Sequence, residues 1–161
     1  MWVAIVGSQT FGYCPCLKVA GPKGDHLKVC PALHAQRLMM ATVTRLAKDP
    51  ELEGIVSGGA PGADTMAKWA ATLLGVKFLE LKPRSGPEPF AVRAMARNTR
   101  VVSKAAKVVA FFAPGDPSPG TSDTLTKARL AGKPTFSWRN GSWEVTGSAG
   151  SEPRASASTS L

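Results

Sequence analysis

The glycine-rich segment at residues 55–65 contains the residue types that most clearly indicate binding chemistry. An apolar run ends at Ser57-Gly58-Gly59, and a helical pattern begins at Ala63. A strand, a glycine turn and a helix N-terminus present backbone N–H groups and the positive end of a helix dipole to an anion, most often a phosphate. In the simpler alternative, the glycines serve only a strand-to-helix turn. The candidate ligand-binding residues of this segment are Ser57, Gly58, Gly59, Ala60, Gly62 and Asp64.

In two further segments, an apolar run is also followed by small and polar residues that could contact a ligand. Apolar residues 2–6 are followed by Gly7, Ser8 and Gln9. After the apolar run 107–112, a loop at residues 113–120 leads to a predicted helix at residues 122–130, and Gly120, Thr121 and Ser122 form its N-terminus. In a parallel sheet the carboxyl ends of such strands lie at one edge, where ligands bind at the topological switch point. These residues are therefore candidate ligand contacts in one shared site. The alternative is that the hydroxyl groups only cap turns and helices.

Strand-like and helix-like segments alternate from residue 2 to residue 138. This order predicts an α/β fold, a Rossmann-like three-layer sandwich with a mostly parallel sheet of about five strands. The predicted domain spans residues 1–140 and includes an irregular Cys/Gly/Pro-rich insertion at residues 12–32. Residues 141–161 are rich in Gly, Ser and Ala and are predicted to form a flexible tail.

Composition restricts the class of protein. The chain has 161 residues and a formal charge of +9, which favours anionic partners such as nucleotides, nucleic acid or acidic proteins. No apolar run approaches the roughly 18 to 20 residues of a membrane span, and the N-terminus lacks the basic region and cleavage site of a signal peptide. We therefore expect a cytoplasmic protein with no membrane partner.

The insertion contains a set of candidate metal ligands. Cys14, Cys16, His26 and Cys30 have the donor types of a tetrahedral zinc site, and a loop without its own apolar core would gain stability from the ion. The Cys-x-Cys spacing is less typical of zinc sites than Cys-x-x-Cys. Free thiols are the alternative, because an odd number of cysteines argues against a disulfide framework.

Four motifs in this order resemble those of the SLOG superfamily. They are Gly7-Ser8-Gln9-Thr10-Phe11, the segment from Ser57 to Asp64, Arg97-Asn98, and Ser118-Pro119-Gly120-Thr121. The similarity covers roughly residues 1–138 apart from the insertion, and it is closest to small bacterial and phage members related to YspA and YpsA. The resemblance implies a Rossmann-like protein that binds a nucleotide or a nucleotide-derived ligand, with Arg97 and Asn98 near that ligand.

Relatives in this superfamily imply two alternatives to simple binding. The LOG enzymes hydrolyse the N-glycosidic bond of nucleoside monophosphates with a glutamate in "PGGxGTxxE", but Thr124 stands at that position here. Asp123 is one residue early, so Asp64 and Asp123 remain the candidate catalytic carboxylates for an N-glycosidic or phosphoester hydrolase. In the opening motif, Gln9 replaces the usual arginine and so removes one phosphate ligand.

The DNA-processing protein A branch of the superfamily binds single-stranded DNA. Arg93, Arg97, Arg100 and Lys104 lie on one face of a predicted helix and could follow a nucleic-acid backbone. A solvent-exposed basic face is the alternative. Members of the superfamily also tend to self-associate, so a homodimer is compatible with the resemblance.

Overall fold

The computed structural model describes residues 1–18 and 24–147 and shows an α/β fold with a six-stranded, mostly parallel sheet. The strands are β1 (Trp2–Gly7), β2 (Gly54–Ser57), β3 (Phe78–Glu80), β4 (Lys107–Phe111), β5 (Thr135–Arg139) and β6 (Ser142–Thr146). The helices are α1 (His26–Val29), α2 (Pro31–Ala47), α3 (Ala63–Leu73), α4 (Phe90–Lys104) and α5 (Pro119–Leu130), and a 3₁₀ turn spans Pro15–Lys18. The predicted Rossmann-like architecture is confirmed.

The strand order is β3-β2-β1-β4-β5-β6, with β1 parallel to both β2 and β4. From β1 the chain adds strands in one direction up to β3, and it then returns to place β4 on the other side of β1. The two crossovers therefore diverge between β1 and β4. In parallel α/β folds, this topological switch leaves a crevice at the carboxyl ends of the strands.

Alternating side chains of the strands build two cores, one on each face of the sheet. Val3 and Ile5 of β1 pack in the core that includes α2 and α3, while Ala4 and Val6 pack with α4 and α5 on the other face. This alternation follows from the two-residue period of a strand. Burial on both faces also explains why β1 is apolar throughout.

The sixth strand corrects the expected start of the tail. The chain continues past Asn140 into β6, which pairs antiparallel with β5. Asn140 and Gly141 have φ angles of 51° and 80°, which suit a two-residue hairpin turn. Trp143 packs against Phe111 and Trp138, with ring centroids 5.7 and 5.4 Å apart, so burial of this indole holds the strand in place. Residues 148–161 of the predicted tail lie outside the described residues.

Parts of the predicted insertion and the last predicted helix also differ from expectation. The described parts of residues 12–32 contain the 3₁₀ turn, the short α1 and the first residues of α2. Helix α5 begins at Pro119, because proline is well suited to the first helical position. Gly120, Thr121 and Ser122 therefore lie inside the first turns of this helix.

Candidate functional site

An open cleft with a volume of about 340 Å³ lies at the carboxyl ends of β1 and β4. Its walls come from the loops after β1, β2 and β4 and from the starts of α3 and α5, with α4 along one side. The lining residues are Val6, Gly7, Gln9, Thr10, Gly58, Ala60, Asp64, Arg97, Asn98, Val101, Asp116, Ser118, Pro119, Gly120, Thr121 and Thr124. The predicted convergence of three strand ends on one site is therefore present in the structure.

The glycine loop after β2 is closed by its own carboxylate. The Asp64 Oδ2 atom accepts hydrogen bonds from the N–H groups of Gly58 at 3.2 Å and Ala60 at 3.1 Å. Burial raises the pKa of Asp64, while the Ala60 N–H, the Arg97 charge and other hydrogen bonds act in the opposite direction. These two amides thus donate to a side chain of the protein, which occupies the position expected for a bound anion.

Two glycines of the predicted site are required by packing. A Cβ atom on Gly7 would lie 2.3 Å from the Phe111 carbonyl oxygen and 2.5 Å from the Ala63 Cβ. Gly62 has a φ angle of +80°, and a Cβ there would lie 2.3 Å from the Ser8 carbonyl oxygen. Gly7 lets the end of β1 lie close to Phe111 and Ala63, and Gly62 lets the loop after β2 lie close to Ser8. These two glycines, which the sequence pattern suggested for ligand binding, are therefore needed for packing.

Ser8, Ser57, Gly59, Gly62 and Ser122 are predicted ligand contacts that do not line the cleft. The Ser8 hydroxyl is fully buried and accepts a hydrogen bond from the Ala113 N–H at 3.1 Å, which ties the end of β1 to the end of β4. The Ser122 hydroxyl donates to the Pro117 carbonyl at 3.3 Å. In the structure these side chains support the loops around the cleft.

Arg97 projects from α4 over the glycine loop. Its Nη1 group donates to the Gly58 carbonyl oxygen, and its Nε donates to Asn98 Oδ1 at 2.9 Å. Burial lowers the pKa of the guanidinium, an effect that the charge of Asp64 opposes. Within residues 1–18 and 24–147, no carboxylate oxygen lies within 4 Å of this guanidinium. A half-buried cation without a paired anion attracts an anionic ligand.

Asn98 and Asp123 join α4 to α5. The buried Asn98 side chain donates through Nδ2 to the Gly120 carbonyl oxygen at 3.2 Å and to Asp123 Oδ2 at 2.9 Å. Lys127 Nζ donates to the same carboxylate oxygen at 2.6 Å. Asp123 does not line the cleft, whereas Thr124 does. The candidate catalytic carboxylate Asp123 therefore forms a contact between helices.

The N-terminus of α5 opens onto the cleft. Ser118 precedes the helix in a left-handed conformation with φ 39°, its hydroxyl lies 2.6 Å from that of Thr121, and it forms no side-chain cap. The first N–H groups of a helix have no intrahelical acceptor, and Pro119 contributes none. A Cβ on Gly120 would meet no atom within 4 Å, so the space beside this turn is free. This end of α5 is consequently available to an anion.

Asp116 is a cleft residue that our interpretation of the sequence missed. Its carboxylate accepts a hydrogen bond from the Thr10 hydroxyl at 2.7 Å and from the Ser118 N–H at 2.8 Å. These two hydrogen bonds lower the pKa of Asp116, so it is ionised at neutral pH. Its position on the loop that follows a buried parallel strand was the signal that could have identified it. Ser118, Pro119 and Thr124 also line the cleft and were absent from the predicted set.

Most of the basic face on α4 is held by contacts within the chain. Arg93 donates to the carbonyl oxygens of Glu88 and Arg84, each at 3.0 Å, and Arg100 donates to the Lys82 carbonyl at 2.6 Å. Lys104 Nζ lies 4.8 Å from the centroid of the Trp2 indole. The two arginines thus attach the loop before α4 to the helix.

The four candidate metal ligands come together in a compact cluster that could hold a metal ion. The ligand atoms of Cys14, Cys16, His26 and Cys30 all lie within 4.8 Å of one another. Cys14 Sγ is 3.2 Å from His26 Nε2, and Cys16 Sγ is 3.5 Å from Cys30 Sγ. The pKa of the Cys16 thiol is raised to about 12, and the largest cause is the hydrogen bond between Cys16 and Cys14. The predicted donor set is therefore assembled in the fold.

Comparison with protein-family models finds no match, and no curated protein matches the chain. No helix in the described part of the chain is long and apolar enough to cross a membrane.

Proposed function

We propose that this protein binds a nucleotide or a nucleotide-derived phosphorylated ligand in the cleft between β1 and β4. The observation that carries the proposal is that the uncapped N-terminus of α5 and the Arg97 guanidinium open onto one cleft. The free N–H groups of a helix N-terminus and an arginine are a typical combination for a phosphate. The similarity of the four motifs to the SLOG superfamily supports the same class of ligand.

The phosphate would be held by α5 and Arg97, with the glycine loop after β2 as a wall. The amides of Gly58 and Ala60 already donate to Asp64, which lies in the first turn of α3, whereas the first turn of α5 has no acidic residue. Arg97 is fixed by its bonds to the Gly58 carbonyl and to Asn98, so little conformational entropy is lost when it pairs with a ligand. This arrangement supports the side of the cleft near α5 as the position of the anion.

Asp116 suits a different part of the same ligand. An ionised carboxylate repels phosphate and accepts hydrogen bonds from hydroxyl groups such as those of a ribose. Thr10 holds this carboxylate, and Gln9 adds an exposed amide to the same region of the cleft. A molecule with a phosphate at one end and vicinal hydroxyls nearby therefore matches the polar groups of the cleft better than inorganic phosphate does.

The geometry favours binding over hydrolysis of the LOG type. The position that corresponds to the LOG glutamate is Thr124, which lines the cleft without a carboxylate. Asp123 is paired with Asn98 and Lys127, and Asp64 is buried against the amides of its own loop. Asp123 thus does not reach the cleft, and the Asp64 carboxylate, which lines it, is engaged by two amides of the protein.

The proposal is tested by calorimetric titration with nucleoside monophosphates and diphosphates, with inorganic phosphate as the reference. We expect at least one nucleotide to bind more tightly than phosphate alone. Arg97→Gln should weaken that binding by about tenfold or more, because a charged hydrogen bond is lost. Arg93→Gln is the matched control, since Arg93 lies one turn earlier on α4 and also donates to backbone carbonyls.

A second variant distinguishes a loss of binding from a loss of folding. Gly120→Ala adds a methyl group to free space at the α5 N-terminus and should weaken nucleotide binding while the protein remains folded. Equal affinity of wild type, Arg97→Gln and Gly120→Ala would overturn the proposed site. Salt-sensitive binding of an oligonucleotide that Arg93→Gln and Arg97→Gln weaken equally would instead support the single-stranded nucleic-acid alternative.

We also propose that the cysteine cluster, which could hold a metal ion, binds zinc. Zinc bonds of about 2.3 Å to sulfur and about 2.0–2.1 Å to nitrogen place neighbouring ligand atoms of a tetrahedron about 3.5–3.8 Å apart. The short distances of 3.2 and 3.5 Å in the cluster lie near these values, so small shifts would complete the tetrahedron. Native mass spectrometry should show one zinc ion per chain that is lost in Cys16→Ser. A bare mass after purification with added zinc would overturn this proposal.

A further inference from the structure

We infer that the metal site acts as a clamp that fixes the Gln9–Thr10 wall of the cleft, so that occupancy by the metal controls ligand binding. This inference rests on the proposed zinc site. Its structural basis is the short path along the chain between the two sites. Thr10 lines the cleft, and Cys14, four residues later, belongs to the cluster.

The segment between the two sites is a tight turn. The Phe11 N–H donates to the Ser8 carbonyl at 3.1 Å, and the Tyr13 N–H donates to the Thr10 carbonyl at 2.9 Å. Gly12 occupies this turn with φ +76°, and a Cβ there would lie 2.6 Å from Met66 Cε. A rigid connection of this kind transmits a displacement of Cys14 to the backbone of Thr10.

The large apolar anchor of the turn, Phe11, lies at its cleft end. The Phe11 ring is buried and lies 5.2 Å from the ring of Phe111, measured between centroids. Beyond it, Tyr13 is 53% exposed, and α1 buries none of its residues. Cys14 and Cys30 are buried mainly with Ala32 in a small cluster of their own. The far end of the turn is held only by this small cluster among the described residues, and a metal would add strong bonds to it.

The metal would also join the turn to a helix of the main body. Cys30 immediately precedes α2, and α2 contributes Met39 and Val43 to the fully buried core. Bonds from one ion to Cys14, Cys16 and Cys30 would connect the chain after β1 to this anchored helix. Without the ion, the described residues of the insertion keep few buried apolar contacts, which is the condition for local opening.

Hydrogen exchange of the full chain, with zinc and after chelation, tests the inference without any ligand. Chelation should accelerate exchange of the Phe11 and Tyr13 amides by about tenfold or more, because both close the turn. The Ser8 amide donates to the Phe111 carbonyl at 2.9 Å. Its exchange rate after chelation should stay within about twofold of the rate with zinc bound. Cys16→Ser should reproduce the effect of chelation, whereas Lys28→Ala, an exposed residue of α1 that pairs with Asp25, should not.

The outcomes separate the three proposals. If zinc binds but its removal leaves the exchange rates of the Phe11 and Tyr13 amides unchanged, the clamp is overturned and the zinc proposal stands. If no zinc binds, both are overturned. Where calorimetry has identified a nucleotide, chelation should weaken its binding several-fold, and unchanged affinity would contradict control of the cleft by the metal. The exchange result stands even if no nucleotide binds.

Discussion

Two helix N-termini face the same cleft and use their polar groups in opposite ways. Before α3, the amides of Gly58 and Ala60 donate to the buried carboxylate of Asp64. Before α5, the left-handed Ser118 and the proline at position 119 leave the first turn without a side-chain cap. Neither helix has a side-chain cap, but the first turn of α3 contains the buried Asp64, whereas the first turn of α5 contains no acidic residue. The loop before α5 has its own carboxylate, Asp116, which accepts a hydrogen bond from the Ser118 N–H.

This difference shows that a glycine-rich turn before a helix does not by itself indicate an anion site. Gly62 is required because the loop after β2 presses against the backbone of Ser8, and Gly58 lies against Arg97. Gly120 has no neighbour that a Cβ would meet within 4 Å. Gly58 and Gly62 in the first loop serve packing, whereas Gly120 in the second borders open space.

The largest expected effect is a difference in stability between two variants, Gly62→Ala and Gly120→Ala, each of which adds one methyl group to one of the two loops. Gly62→Ala places a Cβ 2.3 Å from the Ser8 carbonyl oxygen at a φ of +80°. We expect the free energy of unfolding to fall by about 3 kcal/mol, from overpacking and backbone strain. Gly120→Ala should stay within about 0.5 kcal/mol of wild type. Urea unfolding followed by tryptophan fluorescence compares the two, and equal losses would contradict the distinction between the loops.

A smaller effect, opposite in sign for the two loops, is expected in the pH dependence of stability. Burial raises the folded-state pKa of Asp64 above its unfolded value, so the folded state binds more protons between the two values. The stability of wild type relative to Asp64→Asn should therefore fall as pH rises from about 3.9 through the raised pKa.

Asp116 should behave in the reverse manner. Hydrogen bonds from Thr10 and the Ser118 amide lower its folded-state pKa, so its stabilising contribution is present above the unfolded value. Relative to Asp116→Asn, wild type should lose this contribution as pH falls from about 3.9 through the depressed pKa. Urea unfolding of both variants across this pH range measures the two slopes. Slopes of the same sign would show that the two carboxylates do not differ as proposed.

The smallest expected effect concerns one hydroxyl in each loop. Thr10→Val removes the hydroxyl donor that lies 2.7 Å from Asp116 Oδ2. We expect the free energy of unfolding to fall by about 0.5–1 kcal/mol. We also expect the pKa of Asp116 to rise toward its ordinary value. Thr65→Val is the matched control, because its hydroxyl donates to the Ala60 carbonyl at 3.0 Å in the other loop. Carboxyl NMR titration should show the rise only in Thr10→Val. An unchanged Asp116 pKa would mean that Thr10 does not hold this carboxylate.

Much of the fold could be predicted because its signals are local. The apolar run at residues 2–6 is typical of a strand buried on both faces, and the alternation of strands with helices requires parallel pairing. Gly75 and the Asp49-Pro50 pair lie just beyond the ends of α3 and α2. The predicted architecture and the convergence of strand ends are present in the structure for these reasons. The sixth strand was missed because its stability depends on Trp143 packing against Phe111, which is distant in the sequence.

The sequence by itself determined the order of the elements and the types of group that face the cleft. Periodicity, glycine and proline act over a few residues, so the chain records them directly. Only the tertiary structure decided which carboxylates are paired and that the four candidate metal ligands meet. Those outcomes depend on contacts such as Thr10 with Asp116, which are 106 positions apart. A side chain's distant neighbours, and not its local motif, determine whether its polar atoms remain available for a ligand.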